Sequence, residues 1–260
     1  MRELIEMWSH TRMVVLAALT ASLYAAILIP FKVLPIIPGV TELRPANAVP
    51  VVCSFLFGPA GAWGAAIGNV IGDFFGGFGP GDFFGFWGNL LYGFLPYRMW
   101  ELCTRRSPVP RDVPSLLLFA VVVACASAAC AAVIGWGLNL LGFVPFRVLA
   151  NVILVNNTLA SLLLAPLLLA ALYPRAERAR LTYRQVLLQR RARSGPTAWV
   201  GLALVLFGVG WAMVWGNQIS AGHLPWQFLA ELPDRGTGAW PVGIGLLPPR
   251  TLVLAGLVLL

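Results

Sequence analysis

Asn69 and Asp73 stand one helical turn apart, and Asp82 and Asn89 stand seven residues apart, so each pair shares a helix face. Trp87 and Tyr92 flank the second pair. Trp136, Asn139, Asn151, Asn156 and Asn157 add an indole and four amides from two later apolar runs, and Glu42, Arg44 and Asn47 come from a proline-rich stretch. Amides, aromatic faces and one or two carboxylates are the groups that orient a flat polar ring compound between apolar walls. They are a poor set for breaking bonds. Asp73 and Asp82 could be read as an acid/base pair or a cation site, but neither a histidine nor a third carboxylate stands near them in sequence. No catalytic residue, metal ligand or cofactor is therefore assigned. The competing reading is that asparagines join helices to one another in lipid, each bond worth about 1 kcal/mol.

The remaining reactive residues narrow the classes further. Lys32 is the only lysine, which removes the phosphate-binding lysine of a P-loop, so energy from ATP must come from another chain. Cys53, Cys103, Cys125 and Cys130 form no Cys-x-x-Cys pair and read as small packing residues. His10 and His223 read as solvated interface residues.

The elements that must position these groups follow from composition. Of 260 residues 59% are apolar and only 11% charged, and mean hydropathy is +0.81. A soluble surface needs roughly 25% charge, so lipid is the solvent and the fold class is an all-α integral membrane protein. Helices are expected over residues 13–29, 46–57, 60–75, 82–100, 114–141 and 147–173. The five prolines from Pro30 to Pro50 make a loop of the first connection, and the glycines from Gly76 to Gly81 make a turn. Arginines collect between Arg98 and Arg111 and between Arg175 and Arg193. Such loops favour the cytoplasm over nucleic acid as partner, which puts the N-terminus inside a multi-pass cell-membrane protein. The domain plan is a six-helix unit (1–174), a basic cytoplasmic linker (175–195) and one or two extra C-terminal membrane helices (196–260). Residues 197–215 form the first of these, and the apolar run from Thr251 is too short to span as it stands. In this frame the polar residues crowd the outer leaflet.

Two ladders of small residues accompany them. Ala17, Ala21 and Ala25 recur every four residues, with Ala18, Ser22 and Ala26 beside them, and Gly64, Gly68, Gly72 and Gly76 do the same. Both let helix backbones approach closely. The first could face a sister helix or a separate subunit.

The run from Pro50 to Phe57-Gly58-Pro59, the following stretch from Gly61 to Asp73, the alanine ladder and the six-helix plan together resemble the substrate-binding S component of an energy-coupling factor (ECF) transporter. The resemblance spans roughly residues 13–173, and Glu42 to Asn47 is similar to the branch associated with queuosine precursors. It implies a vitamin- or nucleobase-like ligand held on the outer side under the first loop. It also implies that Ala17, Ala21 and Ala25 contact a transmembrane coupling subunit driven by two ATPase subunits, with transport by toppling of the whole bundle in the bilayer. The helices beyond residue 174 depart from the family plan. A non-transport assembly protein is the alternative, and a membrane enzyme using Asp73 or Asp82 the third.

Overall fold

In lipid a backbone amide has no water to bond, so apolar runs close their hydrogen bonds internally as helices. The computed structural model describes residues 2–31, 35–37, 41–42, 44–104, 106–187, 195–221 and 255–257. A short helix α1 (Arg2–Glu6) precedes α2 (Thr11–Phe31), α3 (Ala48–Phe57), α4 (Pro59–Phe74), α5 (Asp82–Cys103), α6 (Val113–Leu140) and α7 (Phe146–Arg178). A short α8 (Tyr183–Val186) and a further long helix α9 (Pro196–Ser220) follow. α2, α6, α7 and α9 are long and apolar enough to cross a membrane. The expected loop after Pro30 contains a small antiparallel hairpin, β1 (Pro35–Ile37) on β2 (Thr41–Glu42), with Pro35 opposite Glu42. The all-α class is otherwise what the structure shows.

Helix α3 is the unusual element. All ten of its residues are buried, because α2, α4, α5 and α7 surround it. Ten residues extend roughly 15 Å, about half the hydrocarbon thickness. It ends at Gly58, whose φ of 53° an L side chain rarely adopts, and Pro59 starts α4 at once. The chain thus reverses within one residue at the arginine-rich end of the bundle. The other half of the bundle's axis is left unfilled by helix.

The two small-residue ladders meet each other. A Cβ built on Gly68 would lie 2.8 Å from the Ala21 carbonyl oxygen, one on Gly64 2.7 Å from that of Ala17, and one on Gly72 2.5 Å from Leu28 Cδ2. Ala17, Ala21 and Ala25 are buried in this α2–α4 seam. Their expected contact with a partner subunit is therefore corrected: the sister helix occupies that face. The exposed small residues of α2 are Ala18, Ser22 and Ala26, one position further round the helix.

At the arginine-rich end a buried ion network ties α1, α5 and α8 together. Arg98, expected in a solvated basic flank, is only 5% exposed. It pairs with Glu3 at 3.2 Å and Glu101 at 3.3 Å, and Glu101 also takes Arg184 at 3.1 Å and the Tyr183 hydroxyl at 2.5 Å. A guanidinium so buried is tolerable only when paired. Helix α7 runs past Pro174 to Arg178, so the expected linker 175–195 begins inside it. One of the extra C-terminal helices is α9. Of the second, only residues 255–257 are described, against Gly201 and Val205 of α9, and the connecting run before them lies outside the described residues.

Overpacking a seam this tight costs about 1–3 kcal/mol. Ala21→Leu and Gly68→Leu should each lower the thermal unfolding midpoint of the purified chain, while Ala18→Leu should leave it unchanged. An Ala21→Leu variant as stable as the parent would refute the seam.

Candidate functional site

The half of the axis that α3 leaves open is a cavity of about 540 Å³, away from the arginine-rich end of the bundle. Its floor is the start of α3 and the helices around it. Tyr24 of α2 donates its hydroxyl to Asn47 Oδ1 at 2.9 Å and lies 3.3 Å from Asn89 Oδ1. Asn47 Nδ2 donates to Asn157 Oδ1 at 2.5 Å, and Asn89 Nδ2 to the Gly85 carbonyl at 2.9 Å. These bonds fix each amide's orientation. An amide has two N–H donors, so Asn47 and Asn89 each keep a second one for an acceptor in the cavity.

The wall carries the charge. Asn69 Nδ2 donates to Asp73 Oδ2 at 2.6 Å across the helical turn that their spacing predicts. Arg44 Nη1 donates to Asn69 Oδ1, and the Arg44 backbone N–H to Asn156 Oδ1, both at 3.5 Å. Arg44 thus bridges α4 and α7 over the cavity. Asp82 Oδ2 accepts the Gly79 N–H at 2.6 Å, which fastens the glycine turn that forms part of the rim. Opposite, Ile134, Leu138, Leu149 and Ile153 of α6 and α7 make an apolar wall. With one cation and two carboxylates among the described residues, the lining suits a ring with both acceptor and donor edges, and a positive group on it is favoured.

Arg44, Asn47, Asn69, Asp73, Asp82, Asn89, Asn156 and Asn157 all line this one cavity. Of the other expected site residues whose side chains are described, none does. Trp87 is 45% exposed on the outer surface beside Phe83 and Phe86, because it sits two residues before Asn89 and so on another face. Tyr92 lies deeper, its hydroxyl 2.6 Å from Ser161 Oγ and donating to the Asn157 carbonyl at 3.1 Å. Trp136 packs edge-on against Phe84 at 5.4 Å, and Asn139 is buried near it at the end of α6, away from the lining. Asn151 turns to α9, donating to Asn217 Oδ1 at 2.6 Å. The side chain of Glu42 falls outside the described residues.

Tyr24, Cys130 and the apolar wall are lining residues that sequence spacing misses. Tyr24 left a signal: a phenol amid apolar residues needs a hydrogen-bond partner when buried. Cys130 and the isoleucines left none, since in composition they match any lipid-facing position.

A model of the QueT transporter family matches residues 14–174, which takes in every described cavity residue. No curated protein and no solved structure matches the chain.

A water-filled cavity and a lipid-facing surface differ sharply toward a charged reagent. With the four native cysteines replaced by alanine, Ile153→Cys should react with a membrane-impermeant thiol reagent, and Leu163→Cys, far more exposed on the bundle's flank, should not. Equal protection of both would mean that water does not reach the cavity.

Proposed function

Because the chain belongs to the QueT transporter family, whose members are S components of ECF transporters, we propose that it captures a queuosine-precursor-like base from outside the cell. A transmembrane coupling subunit and two ATPase subunits then drive uptake. The observation that carries this reading is convergence: eight of the polar side chains singled out in the sequence, from four separate chain segments, border one cavity at one end of the bundle. Helix-joining amides have no reason to share a void. The size suits a small ring compound, since ligand sites run from about 300 to 1,000 Å³.

The proposed roles divide by chemistry. Asn47, Asn89 and Asn157 on the floor read the in-plane acceptors and donors of the ring. Asp73 and Asp82 receive its donor or cationic edge, and Arg44 with Asn156 closes over it. The positive-inside rule puts the arginine-rich end and the N-terminus in the cytoplasm, so the cavity opens outward. The coupling subunit docks on the exposed stripe of α2, where Ala18, Ser22 and Ala26 let a foreign helix come close and Val15, Leu19 and Leu23 supply apolar area.

Equilibrium binding of a labelled queuosine precursor to the purified chain tests the pocket, and co-purification of the coupling subunit tests the stripe. Asn157→Leu should weaken binding by about ten- to a hundredfold by removing one buried amide and leaving Asn47 unsatisfied. Ser22→Leu should keep binding and lose the complex. Wild-type affinity in Asn157→Leu, or an intact complex with Ser22→Leu, contradicts the corresponding half of the proposal.

A further inference from the structure

Helix α9 lies beyond the family-matched residues 14–174, yet it is fastened to the cavity's own wall. The C-terminal half of its buried face carries the small residues Ala212, Gly216 and Ser220, which let it lie close against α6 and α7. The polar contacts sit at its C-terminal end, beside the cavity mouth. Helix α7 begins at Pro145 without a side-chain cap of its own. The first backbone N–H groups of a helix have no intrahelical acceptor, and the one on Arg147 donates to Ser220 Oγ of α9 at 3.2 Å. One turn away Asn151 Nδ2 donates to Asn217 Oδ1 at 2.6 Å, and Asn217 Nδ2 to its own Met213 carbonyl at 2.6 Å.

Packing carries the same connection inward. Phe146 is fully buried and fills the space left by Gly216, where a Cβ would lie 2.6 Å from its ring. Ala212 of α9 joins Phe146, Ala150 and Ala131 in one apolar cluster, and Ile153 packs on that cluster while also lining the cavity. Val144 and Leu149, on either side of Phe146, line the cavity as well.

We propose that α9 is a resident buttress of the binding site: Ser220, Asn217 and Gly216 are positioning residues that hold the start of α7, and thereby set the shape of the α6–α7 wall that a ligand meets. Ser220 serves as the N-cap that α7 lacks, supplied from another helix. The consequence for ligand affinity rests on the cavity being the substrate site; the consequence for cavity shape does not.

The experiment uses the full chain with Cys53, Cys103 and Cys125 replaced by alanine, so that Cys130 in the cavity lining is the reporter thiol. Ser220→Ala and Asn217→Val should each raise the labelling rate of Cys130 by a small methanethiosulfonate reagent, and should weaken binding of a labelled queuosine precursor by about three- to tenfold. Ser220→Thr keeps the hydroxyl and should restore both. Val205→Ala, midway along α9, should lower the unfolding midpoint without changing either readout. Unchanged Cys130 labelling in Ser220→Ala and Asn217→Val overturns the buttress, even if the unfolding midpoint falls, because α9 would then be a structural support only. Raised labelling with no precursor binding in the parent chain would uphold the buttress and refute the substrate assignment instead.

Discussion

A ten-residue helix in a solvent about 30 Å thick is the constraint on which the rest of this bundle depends. Helix α3 is buried along its whole length and reverses at Gly58, so it fills the core at the arginine-rich end and stops. Polar groups at its start would face hydrocarbon unless neighbours supplied partners, and unpaired groups there are expensive. Tyr24, Asn47, Asn89 and Asn157 answer that need with one another. The same network that keeps the start of α3 tolerable is therefore the floor of the cavity. Structure and recognition share the same amides.

Much of this was legible in the sequence, and the residues show why. Asn69 and Asp73 are bonded across one turn, as a four-residue spacing predicts for a helix. Asp82 and Asn89, seven apart, line the same cavity. Spacing gives a face but not what lies opposite it. Asn151 and Asn156 differ by five residues in one helix, and the first meets α9 while the second meets the cavity. Trp87 and Trp136 have the chemistry of a stacking platform, but one faces outward and the other packs on Phe84. Neither outcome has a local signature.

The small-residue ladders make the same point about surfaces. Alanines at 17, 21 and 25 and glycines at 64, 68 and 72 are mutually complementary, and two such stripes in one chain satisfy each other. Ala18, Ser22 and Ala26 stay uncovered because they lie about 100° further round α2. At the arginine-rich end, Arg98 was hidden among solvated arginines in sequence, and its burial is matched by Glu101 one turn on and by Glu3, ninety-five residues earlier. Non-local pairing of this kind cannot be read from composition. Helix α9 extends it, since it supplies the Ser220 hydroxyl that α7 takes as its cap.

Native mass spectrometry of the chain released from detergent tests the central claim most directly, because it asks whether the cavity holds a small molecule without presuming which one. The account predicts one small-molecule adduct on the parent chain, retained when Tyr92, outside the cavity, is changed to Phe, and lost when Asn47 is changed to Leu. A parent chain that flies bare after purification from cells supplied with queuosine precursor, or an adduct that survives Asn47→Leu unchanged, would contradict it.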